Sequence, residues 1–268
     1  MSWKNIKSFL IILFLIINLY LVFSQYGFNF KSSDFCYVNK KTLSDSISII
    51  KKNYNVIADK AIVPEKVKKL GIIDVTNIIY TKKFEKSGYG FKTNGANFEV
   101  QIETDTYSYN ETNAKSEFVK ILSDIGIDKG TYKLSVKKTD IGLVCTAMAV
   151  VEPFHIFNAS ISAVFAPQKI NLHGSWYLAE KDVLEENKRK EEMADIAAVL
   201  IDVAALCTKS EGGKTEIEDI EYGYYVSSYD ENSASKTSSA IPCYKIKTDA
   251  GIKYYYDSLT GKLLKQEA

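Results

Sequence analysis

From Ser8 to Phe30 the chain carries no charged residue, and within that window Phe9 to Phe23 (FLIILFLIINLYLVF) is almost wholly apolar, broken by Asn18. Few sequence properties restrict a chain more. A helix rises about 1.5 Å per residue, so roughly 20 residues cross a hydrocarbon core of about 30 Å. The segment therefore predicts a transmembrane helix over residues 8–28. Lys4 and Lys7 lie just before it, which predicts a cytoplasmic N-terminus at residues 1–7 and an extracytoplasmic remainder, because cationic flanks stay on the cytoplasmic side. Trp3 at one end and Tyr20 and Tyr26 toward the other stand where interfacial aromatic side chains collect.

A cleaved signal peptide is the rival reading, with Val22-Phe23-Ser24 as a passable cleavage site. The apolar block is long for such a signal, and no Pro or Gly breaks it before the site. Retention is thus the favoured expectation. Cys36 follows Ser33-Asp34-Phe35, which is not a lipobox, so a lipid-anchored cysteine is not expected. At mid-span, the Asn18 amide either bonds to a partner helix or is tolerated alone. Ile11, Phe14 and Leu15 stand seven, four and three residues before it. They share its helix face and complete the candidate partner contact.

The remainder is ordinary for a chain that buries a core: 46% of all residues are apolar and 25% charged. Thirty-four Lys and Arg against 33 Asp and Glu leave a net charge of +1, which argues against a basic nucleic-acid surface. Cys36, Cys145, Cys207 and Cys243 are far apart with no C-x-x-C, so zinc spacing is missing. They are read as buried small hydrophobes; if any bridge forms, Cys207 with Cys243 is the pair expected. His155 and His173 are the only histidines, and both are read as structural. No G-x-S-x-G, Walker A, G-x-G-x-x-G or H-E-x-x-H pattern occurs. The expectation is a non-enzyme with no catalytic residue, cofactor, metal or small-molecule substrate. Asn110-Glu-Thr and Asn158-Ala-Ser match the glycosylation triplet, a pattern common by chance.

Periodicity sets the organisation beyond the span. Residues 42–54 read as a helix capped by Thr42 or Ser44, with Leu43, Ile47, Ile50 and Tyr54 as its stripe. Pro64 to Gly71 reads as a turn of helix, and residues 72–81 as extended. Tyr89 to Ile102 reads as a hairpin about an Asn94-Gly95 type I′ turn, setting Phe91 opposite Phe98 and Tyr89 opposite Val100. A helix over 111–125 precedes four strands, at 132–138, 143–152, 157–165 and 170–178. A long helix over 180–206 follows, charged in its first half and carrying Met193, Ile196, Ala197, Leu200, Val203 and Ala204 as a core stripe in its second. Three strands close the chain, with an Asp249-Ala250-Gly251 loop placing Ile246 opposite Tyr254 and Tyr244 opposite Tyr256. Tyrosines in Glu221 to Tyr225 and Tyr254 to Tyr256 fall on both strand faces; outward ones would suit a protein or glycan contact, but ordinary edge-strand filling is the favoured reading. The predicted fold is α+β: one transmembrane helix, then two extracytoplasmic subdomains at 29–178 and 179–268, each an antiparallel sheet packed by a helix.

The opening Met1, Trp3, Lys7 and Asn18-Leu19, set in an Ile/Leu-rich span, resembles the start of the YycI (WalI) family of regulators. Ile241-Pro-Cys-Tyr-Lys-Ile246, with Tyr254-Tyr-Tyr-Asp257 and Thr260-Gly261, is similar to that family's closing strands, and also to those of PepSY-type domains. The resemblance covers both ends and the overall length, with the middle matching only in element order. It implies a bilayer-anchored regulator with two α+β extracytoplasmic domains. Such a protein works with a YycH-like sister protein on a sensor histidine kinase of the WalK type, in two-component control of cell-wall homeostasis, largely through transmembrane helix contacts. The alternative it leaves open is a PepSY-like protease-inhibiting or wall-binding module with a passive anchor.

Overall fold

The computed structural model describes Phe14, Asn18 and residues 34–179, 193–210, 213–227 and 237–267. The expected span over 8–28 lies outside the described residues except for Phe14 and Asn18, as does the first half of the expected 180–206 helix. Among the described residues no helix is long and apolar enough to cross a membrane.

The first part of the chain forms β1 (Phe35–Tyr37), α1 (Lys40–Tyr54), β2 (Val56–Ala58), β3 (Lys66–Lys68), β4 (Ile73–Asn77), the single turn α2 (Lys82–Glu85), β5 (Lys92–Asn94) and β6 (Asn97–Glu103). Then come α3 (Glu111–Asp124), β7 (Tyr132–Thr139), β8 (Gly142–Val151), β9 (Phe154–Ala166), β10 (Lys169–Ser175) and β11 (Tyr177–Ala179). The last part holds α4 (Ile196–Ser210), β12 (Thr215–Val226), β13 (Thr237–Thr248), β14 (Lys253–Asp257) and β15 (Leu263–Glu267). The fold is a mixed α+β fold, mostly sheet. Strands β1 and β3 pair by themselves, and the other thirteen form one branched sheet.

Local chemistry explains most element ends. Helix α1 starts at Lys40, two residues before the expected start. Its cap is Asn39, whose side chain accepts from Lys41 N at 3.0 Å and Thr42 N at 3.2 Å. An extended residue with a free carboxamide oxygen satisfies two orphan donors there. Asn110 caps α3 in the same way, accepting from Asn113 N at 2.8 Å. The β5–β6 turn sits one residue later than expected: Asn94 pairs with Asn97, and Gly95-Ala96 turns the chain. Only Gly95 has positive φ, 57°, which suits the first position of a type II′ turn rather than a type I′ turn. Each β5 residue keeps its expected face because its partner moves by two positions, and Phe91 still meets Phe98 with ring centroids 5.2 Å apart. The Pro64 to Gly71 segment is not helical. It forms β3, whose Val67 pairs with Cys36 of β1 and enters the core.

Two apolar cores result. In the first, α3 buries Ala114, Phe118, Ile121 and Leu122 on the inner face of β6 and β8–β10, whose Ala147, Ala159 and Ala163 let the helix approach closely. In the second, α1 and α4 cover β2 and the lower halves of β12–β14, with Ile50, Leu200, Val203, Ile246, Tyr254 and Tyr256 fully buried. The expected boundary at 178 does not separate these cores. Leu43, Ile50, Val56, Ala58 and Val67 belong to the second, alongside residues 193–256. Nor are the sheets purely antiparallel: β12 runs parallel to β2 and, at Tyr224 beside Ile156, parallel to β9.

The long β12–β13 hairpin joins the cores. Ile217, Ile220, Tyr244 and Ile246 pack in the second, while Tyr224, Val226 and Ala240 pack in the first. At the junction Gly223 has no room for a side chain, since a Cβ there would lie 2.5 Å from His155 O. Asn158 of β9 then does the work of a ladder residue. It donates to Val226 O at 2.8 Å and accepts from Val226 N at 2.9 Å.

Candidate functional site

Of the four residues expected to contact a partner helix, Phe14 and Asn18 are described, both helical and both exposed. Asn18 Nδ2 donates to Phe14 O at 2.9 Å, closing a bond along one helix turn. That bond uses one of the two hydrogens of the Asn18 amide. Ile11 and Leu15 lie outside the described residues.

A second constellation, not foreseen as a site, lies where β9 meets the outer face of β12 and β13. Register places Glu221 opposite Lys245, and Lys245 Nζ donates to Glu221 Oε1 at 2.6 Å. Only 15% of the lysine side chain and 34% of the glutamate side chain are exposed. Lys245 Nζ also lies 5.3 Å from the Phe157 ring centroid. Burial works to raise Glu221, but the bond and charge of Lys245 hold it below the usual carboxylate range. Asp219 is pushed up by burial and by the neighbouring Glu221.

His155 stands beside this cluster, its Nε2 3.4 Å from Lys133 Nζ and its Nδ1 buried without a hydrogen-bond partner. Burial lowers its pKa, and Lys133 and Lys245 lower it further against the opposing pull of Glu221. Lys133, His155, Asp219, Glu221 and Lys245 thus form a mixed-charge network that ties β9 to the hairpin. The signal that could have revealed it is the β12–β13 register, which only the full hairpin supplies. His173 is exposed on β10, opposite Glu99. Among the described residues no group of three or more His, Cys, Asp or Glu could hold a metal ion.

The tyrosine-rich segments do not form an outward surface. Tyr224, Tyr254, Tyr255 and Tyr256 are all buried, because β14 is flanked by β13 and β15 and covered on both faces. On the inner face Tyr256 Oη donates to Asp202 Oδ2 at 2.6 Å. On the outer face Tyr255 packs with Phe157 and Cys243, and donates to Glu267 Oε2 at 3.1 Å. The four cysteines are free thiols. Cys207 lies in the second core with its Sγ 3.6 Å from Tyr254 Oη, whereas Cys243 lies on the opposite face of the sheet. The sheet stands between them, so they do not bridge.

A groove of about 770 Å³ runs between α3 and β7, lined by Lys115, Val119, Lys129, Tyr132, Leu134 and Val136 among others. It lies on the first core, away from the mixed-charge network's Glu221–Lys245 pair on the β12–β13 hairpin.

No protein-family model matches the chain, and no curated protein matches it. Among solved structures, an uncharacterized protein from Eubacterium rectale aligns at 12% identity over 86% of this chain and 99% of its own, with a TM-score of 0.45. The C-terminal domain of Bacillus megaterium YpeB aligns at 13% identity over 86% of this chain and 97% of its own, with a TM-score of 0.32. Neither likeness is close enough to bear on function.

Proposed function

We propose that this chain is a membrane-anchored, non-enzymatic regulator of a sensor histidine kinase of the WalK type, acting beside a YycH-like sister protein in two-component control of the cell wall. The observation that carries the reading is the uncharged apolar stretch from Ser8 to Phe30 with Asn18 at its centre. The family-like residues at both ends of the chain add to it. The turn that joins Asn18 to Phe14 supports a shared contact face for these two side chains.

Magnitudes assign the work between the helix and the folded part. A helix shifts a kinase between states only by binding one state better than the other. Driving the balance from 1:99 to 99:1 takes about 5.5 kcal/mol of differential binding. One interhelical amide bond supplies about 0.6 to 2 kcal/mol. Asn18 therefore biases the kinase by several-fold, and apolar contacts of Ile11, Phe14 and Leu15 and extracytoplasmic contacts of the folded part must supply the rest.

The test is a fusion of residues 1–30 to an unrelated exported domain, expressed in cells that lack the native chain. Kinase output should keep a measurable part of its normal regulation. A fusion with no effect, while residues 31–268 alone restore full regulation, contradicts the transmembrane mechanism.

A further inference from the structure

We propose that the free edge of β7 and the groove beside it accept an extended acidic segment of a partner protein as an added β-strand. The groove would do this whether or not the N-terminal helix acts on a kinase, so the two proposals stand or fall separately.

Backbone geometry supplies the first half of the case. Among the described residues β7 pairs with β8 alone. Val150 N donates to Thr131 O at 2.8 Å, and Tyr132 then pairs with Ala149 and Lys133 with Met148. In an antiparallel ladder, hydrogen-bonded pairs alternate with non-bonded ones. Lys133, Ser135 and Lys137 therefore bond to β8, while Tyr132, Leu134 and Val136 direct their N–H and C=O groups away from the sheet. An incoming strand would lie about 4.8 Å beyond β7. That position sits beside the groove, where α3 forms the far wall with Lys115 and Val119. A strand added between an edge strand and a helix takes affinity from the main chain and specificity from alternate side-chain pockets.

Charge decides the occupant. The side chains of Tyr132, Leu134 and Val136 are half-buried on the groove side, whereas Lys133, Ser135 and Lys137 stand exposed on the other. A second copy of β7 pairing about Ser135 would set Lys133 opposite Lys137, and like charges directly opposite destabilise a strand pair. Edge lysines deter such self-pairing. They leave the same edge complementary to carboxylates, with Lys115 and Lys129 on the groove wall against one acid, Glu111. The segment that fits alternates apolar side chains, facing Val119, Leu134 and Val136, with acidic ones facing Lys133 and Lys137.

The test uses the full-length chain in detergent and a fluorescein-labelled octapeptide of alternating Glu and Val, followed by fluorescence anisotropy. Saturable binding is expected, weakening as salt rises. Val136→Pro removes an outward N–H without touching the bonds to β8, a place where an edge strand tolerates proline. It should weaken binding at least tenfold. Lys115→Glu with Lys137→Glu changes two exposed side chains and should reverse the preference, so that an alternating Lys and Val peptide binds instead. No saturable binding of the acidic peptide, or equal binding of both peptides to the unaltered chain, overturns the proposal. Should Val136→Pro unfold by circular dichroism, the charge-reversed protein decides: an unchanged preference overturns the proposal and a reversed one upholds it.

Discussion

In the first core one long helix, α3, lies over the strands, joined by Phe84 of the single turn α2, while in the second α1 and α4 pack against each other and share the sheet between them. A helix with its side chains is about 10–12 Å across, and strands lie about 4.8 Å apart. One helix thus covers little more than two strands. Two helices close the face of β12–β14, while α3 leaves β7 half-covered and opens the groove. The edge strand β7 and the internal strand β14, which lies between β13 and β15, differ accordingly. Tyr132, Leu134 and Val136 of β7 are only half-buried, whereas β14 is buried from Tyr254 to Asp257. The second core is closed over by its two helices, and the first leaves a groove open beside β7.

Hollowing out each core in turn should have the largest effect. Phe118 and Leu200 are fully buried. Phe118→Ala should cost about 3–5 kcal/mol and Leu200→Ala about 2–5 kcal/mol in urea unfolding. Because the β12–β13 hairpin passes through both cores, each variant should still unfold in one transition, with Trp176 fluorescence and far-ultraviolet circular dichroism coincident. Separate transitions would show that the cores are independent.

The junction is the next target. Asn158→Ala leaves the Val226 N–H and C=O without their side-chain partner, a loss of about 1–3 kcal/mol. Gly223→Ala drives a Cβ into His155 O and the Phe157 ring, an overpacking cost of about 1–3 kcal/mol. Either change should broaden or split the single transition, which neither core variant should do. A smaller contrast separates two buried phenols. Tyr224 Oη has no hydrogen-bond partner, so Tyr224→Phe should stabilise by about 1 kcal/mol, whereas Tyr256→Phe forfeits its bond to Asp202 and should cost about 1 kcal/mol.

The smallest effect is pH-dependent. His155 is held below its usual value by burial and by Lys133, so the unfolded chain takes up its proton first as pH falls. Stability should therefore decline from just above about pH 6.5 down to the folded-state pKa, and stay level below it. His155→Gln should remove that part of the decline, as read by thermal unfolding between pH 8 and 5.

What the sequence disclosed follows the range of the forces involved. The α3 stripe of Phe118, Ile121 and Leu122, and the pairing of Tyr244 with Tyr256 and Ile246 with Tyr254, were legible because a helical period or a turn three residues long settles them. Gly251, at φ 82°, sits in the left-handed conformation its loop requires. The union of α1 and β2 with residues 193–256 was not legible, since it depends on β2 pairing with a strand more than 150 residues later. A three-residue strand such as β3 exists only through its partner β1 and carries no period of its own. The full burial of the tyrosines was not legible for a related reason: alternation names two faces, but only the tertiary fold says that both are covered. At the candidate site, helical spacing did foretell that Phe14 and Asn18 stand one helix turn apart. The groove was not legible, because it arises from where α3 lies relative to a sheet edge.

The most direct measurement on the central claim is site-specific crosslinking from a photoreactive residue at position 18, in membranes of cells that make the chain at its native level. A covalent adduct with a sensor histidine kinase is expected, reduced when Phe14 is replaced by alanine. Adducts with lipid alone, or a mature chain that has lost position 18 by cleavage, would contradict it.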